Sequence, residues 1–168
     1  MPCGKLACMA QAFRVPIGLQ LSQAARTVSR AFDAALDGAG GTLPVWLILL
    51  NLKIRKPANQ RELAEAVGVR EATLTHHLNA MDARGLVTRA RDTANRRVQV
   101  VGLTEAGEAA FLRLQQAAIA FDDRLRDGLA DADLDSLADL LGRLAANVGG
   151  TEDGALPWAG LAEPRQQR

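Results

Sequence analysis

The sequence predicts a mainly α-helical fold with one small β-hairpin. Three features predict it. Apolar residues recur at spacings of three and four through much of the 168-residue chain, the period of helices that bury one face. Between residues 59 and 84, two such segments are short and are separated only by a tight turn at Gly68. Residues 87–91 and 98–103 then have the composition of strands, and residues 92–97 between them supply turn formers and arginines.

Each element follows from local signals. Ile17, Leu21, Ala24, Val28, Phe32 and Ala35 lie on one stripe, so residues 16–36 should form an amphipathic first helix, ended by the glycine-rich residues 37–41. Thr42 can cap the second helix, and Pro44 suits its first turn, where an amide N–H has no helical partner anyway. Trp46, Leu49, Leu50 and Lys53 follow, and Pro57 forces a stop. This run is apolar on nearly every side, which predicts burial between two other layers. Asn59 with Glu62 three residues on is a capping-box pattern, and Leu63, Ala64 and Val67 give a short third helix that closes at Gly68.

The fourth helix, residues 70–84, is the most informative. Leu74, Leu78 and Met81 form its inner stripe, which leaves Ala72, His76, Asn79 and Ala83 on the opposite face, flanked by Thr73 and Thr75. A helix that merely faced water would more often carry Glu and Lys there. Short hydroxyl, amide and imidazole groups allow close approach to base edges and phosphates. His76 and His77 do not converge on one ion, because adjacent helical residues point about 100° apart; no metal is expected. His76 points outward, while His77 falls at the edge of the buried stripe.

Gly85 closes this helix and Leu86-Val87 begins the first strand. The hairpin carries Arg89 and Arg91 on its first strand and Arg96 and Arg97 in its turn. A guanidinium is planar, always charged and weakly hydrated, so an arginine tip suits the narrow, electronegative minor groove of DNA. Thr104 can cap a long helix with Ala110, Leu114, Ala117, Phe121 and Leu125 on one face, and Leu134, Leu137, Leu141, Leu144 and Val148 mark a final one.

Charge sorts along the chain in the same sense. The net charge is +1, yet residues 53–97 hold ten Lys and Arg against five Asp and Glu, and residues 104–150 hold four against nine. The basic segment coincides with the two short helices and the hairpin, as a polyanion-binding lobe requires. Hydrophobic residues make up 48% of the chain, enough for a core. Cys3 and Cys8 both precede the first helix and cannot staple the fold, which fits a reducing cytoplasm. The longest apolar run, residues 43–50, falls far below the roughly 18 residues of a membrane helix, and residues 1–13 lack the basic and apolar regions of a signal peptide. A soluble, cytoplasmic protein is expected. Enzyme motifs such as HExxH, GxSxG or a P-loop do not occur, so neither catalysis nor a cofactor is expected.

These residues resemble the multiple antibiotic resistance regulator (MarR) family of winged helix-turn-helix transcriptional regulators. The family's wing pattern, DxRxxxVxLT followed by Glu-Ala-Gly, corresponds to Asn95-x-Arg97-x-x-x-Val101-x-Leu103-Thr104 and Glu105-Ala106-Gly107. Thr42-Leu43-Pro44-x-Trp46 looks like the family's start of helix two, Glu62-Leu63-Ala64 like helix three, and Leu74-Thr75 with Gly85-Leu86-Val87 like the recognition helix and its exit strand. The resemblance spans residues 16–148. Three departures stand out. Asn95 replaces the aspartate that pairs with the arginine two residues on, so an amide hydrogen bond would brace the wing. His76 stands where many relatives carry arginine, and Arg70 where many carry a capping serine. The peroxide-sensing branch places a reactive cysteine in helix one with tyrosines nearby; this chain has no tyrosine, and Cys8 lies about ten residues too early.

The expected organisation is therefore a flexible N-terminus (1–15), a dimerisation helix (16–41), a winged helix-turn-helix lobe (42–104), two further dimerisation helices (105–148) and a disordered tail (149–168). One winged lobe offers too little surface to cover helices one, five and six, so a homodimer is the physical expectation, and the resemblance implies the same. The candidate DNA contacts are Arg70, Ala72, Thr73, Thr75, His76, Asn79, Arg89, Arg91, Arg96 and Arg97, with Asn95 and Arg97 also bracing the wing. The resemblance implies a crevice for a small aromatic or lipophilic effector. Ile17, Leu21, Trp46 and Leu50 could line it, although for each of the four ordinary core is the simpler reading. The expected function is repression released by such a ligand; a protein-interaction winged helix and a redox sensor using Cys8 are the alternatives.

Overall fold

The computed structural model describes residues 15–54, 59–91 and 99–149. Six helices and one hairpin occur among them: α1 (Ile17–Gly38), α2 (Leu43–Ile54), α3 (Gln60–Val67), α4 (Glu71–Ala83), β1 (Val87–Arg91), β2 (Gln99–Leu103), α5 (Glu105–Arg126) and α6 (Asp131–Asn147). No single helix among them is long and apolar enough to cross a membrane.

The core is built around α2. Val45, Trp46, Ile48, Leu49, Leu50 and Leu52 are all buried, on every side of the helix, because α3, α5 and the hairpin pack around it. Trp46 stacks on Phe111 of α5 with ring centroids 5.7 Å apart and 15° between planes. Asn51 is the one buried polar side chain among the described residues, and its Nδ2 donates to the Leu47 carbonyl one turn back at 2.8 Å. Leu63, Ala64 and Val67 of α3, Leu74, Leu78 and Met81 of α4, Val87 and Val101 of the hairpin, and Ala110 and Leu114 of α5 complete the cluster.

The start of α3 is the predicted cap. The Asn59 Oδ1 accepts from the Glu62 N–H at 2.9 Å, and the Asn59 Nδ2 donates to the Glu62 carboxylate at 2.9 Å. Gly68 ends the helix at φ 76°, a left-handed conformation that a Cβ would oppose, and this turns the chain from α3 into α4 within three residues. Arg70 occupies the α4 N-cap and makes no side-chain capping bond, as expected of a residue with no short acceptor.

The strands pair antiparallel with Val87 opposite Leu103, Arg89 opposite Val101 and Arg91 opposite Gln99. Thr104 then joins three elements. Its Oγ1 accepts from the Gly107 N–H at 3.0 Å, capping α5, and donates to the Gly85 carbonyl at 2.6 Å, fixing the exit of α4. Gly107 lies so close beneath that exit that a Cβ would overlap the Leu86 carbonyl oxygen. The Glu-Ala-Gly pattern is thus a packing requirement.

Helices α1 and α6 depart from the simple picture of one-sided burial. α1 runs two residues past its expected end, and Gly41 N–H closes it on the Leu36 carbonyl at 3.0 Å. Its C-terminal half lies on α5, with the Phe32 and Phe121 rings 5.0 Å apart. Its N-terminal half has no such neighbour among the described residues, and Ile17, Leu21 and Ala24 are exposed although they share the predicted stripe. α6 has no fully buried residue: Leu137, Leu140 and Leu141 are exposed, Leu134 and Leu144 are half-buried, and the helix ends at Asn147, one residue short of Val148. Leu112, Ile119 and Leu125 of α5 are exposed as well.

Candidate nucleic-acid interface

The outward side of α4 is as small and polar as its sequence indicates. Ala72, Thr73, His76, Asn79 and Ala83 are exposed, whereas Leu74, Leu78 and Met81 on the inner side are 0%, 0% and 1% accessible. His77 is half-buried, at the edge of that inner stripe, and its ring meets His76 edge-on at 5.9 Å.

Thr75 sits differently from its neighbours. It is half-buried, its Oγ1 donates to the Glu71 carbonyl at 2.8 Å and accepts from the Gln60 Nε2 at 2.6 Å. Its proton is therefore committed within the helix, and the hydroxyl ties α3 to α4. Two more polar contacts steady the lobe. Arg84 Nη2 donates to the Gly40 carbonyl at 3.2 Å, pinning the end of α4 to the turn between α1 and α2. Lys53 and Glu108 form an ion pair at 2.7 Å between the end of α2 and the first turn of α5; being about half exposed, it contributes at most about 1 kcal/mol.

Arg89 and Asn79 are brought together. Arg89 lies on the same side of the hairpin as the buried Val87 and Val101, so its side chain runs under α4, and its Nη1 donates to the Asn79 Oδ1 at 2.7 Å. Arg70 is exposed at the start of α4. Arg91 belongs to β1 by its backbone, and its side chain, together with Asn95, Arg96 and Arg97, lies outside the described residues. Cys3 and Cys8 lie outside them too, as does the tail from residue 150.

The four residues assigned to an effector crevice do not share one environment. Trp46 and Leu50 are core residues, 8% and 5% accessible, while Ile17 is 60% and Leu21 41% exposed on the uncovered half of α1. Three surface cavities, of about 400, 380 and 260 Å³, are lined by other residues: Leu52, Lys53, Leu103 and Glu108 in the first, the α1–α2 turn in the second, and Val28, Phe121 and Leu125 among those of the third. Among the described residues no cluster of His, Cys, Asp or Glu could hold a metal ion.

The long-range roles of Gln60, Lys53, Arg84 and Glu108 carry no local sequence signal, because each acts on a residue at least 15 positions away.

A short polar-faced helix, carried on a tight turn from the helix before it and followed directly by an antiparallel hairpin, defines a winged helix-turn-helix DNA-binding regulator. The MarR family model matches residues 42–98, from the residue before α2 to the residue before β2. Solved structures extend the likeness across most of the chain. A probable transcriptional regulator from Pseudomonas aeruginosa is 30% identical, with 76% of this chain and 96% of that one covered at a TM-score of 0.65. The transcriptional repressor CouR bound to a 23-mer DNA duplex is 29% identical over 76% of this chain and 91% of that one, TM-score 0.67. CouR from Rhodococcus jostii RHA1 bound to p-coumaroyl-CoA is 26% identical over 77% and 92%, TM-score 0.63. The chain belongs to the MarR family of transcriptional regulators.

Proposed function

We propose that the chain acts as a homodimeric repressor that holds a pseudo-palindromic operator and releases it on binding a small aromatic or lipophilic ligand. The observation that carries this reading is the exposed face of α4, whose small polar side chains stand next to a basic hairpin. Ala72, Thr73, His76 and Asn79 meet base edges in the major groove. Arg70 and Arg91 neutralise phosphates, Arg96 enters the minor groove, and Arg97 braces the wing with Asn95. Thr75 orients α4 on α3 through Gln60 and Glu71.

Dimerisation is supported by apolar surface that the single chain leaves open: the N-terminal half of α1, the outer face of α5 and all of α6. Covering it with a second copy would place two α4 helices about a two-fold axis, one helical turn of DNA apart. A ligand between the two lobes would alter that spacing, with Ile17 and Leu21 of the uncovered α1 segment closing over it and Trp46 and Leu50 as its floor. The DNA-bound and p-coumaroyl-CoA-bound structures of CouR support both halves of the mechanism.

Gel retardation of the duplex upstream of the chain's own gene tests the reading. Retardation at low salt that weakens steeply as salt rises, and that aromatic acids or their thioesters reverse, is expected. Absence of retardation at low salt would leave a protein-interaction role in its place.

A further inference from the structure

Asparagine on a recognition helix ordinarily offers both an acceptor and a donor, and so can pair two-pronged with adenine N6 and N7. Asn79 is not free to do so. The guanidinium of Arg89 has donors only, so the Asn79 atom 2.7 Å from its Nη1 must be the carbonyl oxygen, whichever way the amide would otherwise turn. With Oδ1 held toward the hairpin, the Nδ2 is the group left on the exposed face of α4.

Arg89 itself is poorly placed to touch DNA. It is half-buried on the core side of β1, opposite Val101, and its Nε and Nη2 are buried with no hydrogen-bond partner among the described residues. The guanidinium is always charged, so the bond it donates to the Asn79 oxygen is a charge-assisted one.

We infer that Arg89 is a positioning residue that makes Asn79 a pure donor, so that Asn79 reads a hydrogen-bond acceptor in the major groove: the N7 or O6 of guanine, the N7 of adenine, or the O4 of thymine. The inference rests on α4 being the helix that enters the groove, and it changes the role of Arg89 from DNA contact to support. It also joins the wing to the recognition helix, so a shift of the hairpin alters what the helix reads.

The test uses the whole chain and duplexes selected from a randomised pool, followed by binding measurements across a salt series. Asn79→Asp keeps the acceptor that Arg89 grips but turns the outward donor into an acceptor. Its expected result is a reversed preference at one base pair of each half-site, toward the N4 amino group of cytosine or the N6 amino group of adenine, by about five- to tenfold. The same variant should melt higher than the parent chain, because the Arg89 bond then joins two opposite charges. Arg89→Leu should relax the preference at that base pair while leaving the slope of log affinity against log salt unchanged. Three results overturn the inference: an Asn79→Asp variant that selects the parent's sites, an Asn79→Asp variant that melts lower, or an Arg89→Leu variant that loses about one unit of salt slope, which marks a phosphate contact. If the parent chain retains no duplex from the pool, the groove-binding reading falls and this one falls with it.

Discussion

Single residues hold this lobe in register, and the contacts that do so are mostly invisible along the chain. Gly107 is an example. Its place in the Glu-Ala-Gly pattern is plain in the sequence, but its reason is that α5 passes against the Leu86 carbonyl, twenty-one positions away. Gly107→Ala should destabilise the fold by about 3 kcal/mol, the upper end of overpacking costs, because the obstacle is backbone; an unchanged melting temperature would rule that packing out. Arg70 makes the opposite point. A residue without a short acceptor occupies the α4 N-cap. Arg70→Ser should therefore stabilise the fold by about 1 kcal/mol, and should weaken DNA binding with the loss of about one unit of salt slope if the guanidinium meets a phosphate. Thermal melting and a salt titration read the two effects separately.

At the scale of elements, the helices and their caps were legible because their signals are local. The inner stripe of α4, the Asn59 cap, the Gly68 turn and the Thr104 cap all lie within one or two turns of chain. The links between elements were not. Arg89 reaches Asn79 only once the hairpin register is set, and Gln60 reaches Thr75 only once the turn has folded α3 onto α4. Apolar stripes could be seen on α1, α5 and α6, but a stripe does not say what covers it. Among the described residues α6 has no fully buried side chain, and the first turns of α1 are exposed. Replacing Leu137 and Leu141 of α6 together by Gln should raise the dissociation constant of the dimer at least about a hundredfold, since each leucine otherwise buries roughly 1.5 to 3 kcal/mol of apolar surface. Sedimentation velocity reads that change, and circular dichroism with unaltered helix content would show that the chain still folds. A monomeric parent chain at every concentration would contradict it.

At the scale of the molecule, the parts form two regions of different character. The lobe from α2 to β2 has a closed core, a basic segment and a polar-faced α4; α5 and α6 lie in the acidic segment, and with α1 they leave apolar faces open. The family likeness places this arrangement among regulators, one of which was solved on a DNA duplex. The account's central claim is that α4 meets DNA in pairs. Hydroxyl-radical footprinting of the whole chain on a duplex that it retards tests this most directly. Two protected patches on one face of the duplex, centred about one helical turn or roughly 10 base pairs apart, are predicted. A single patch, or two without that spacing, would contradict it.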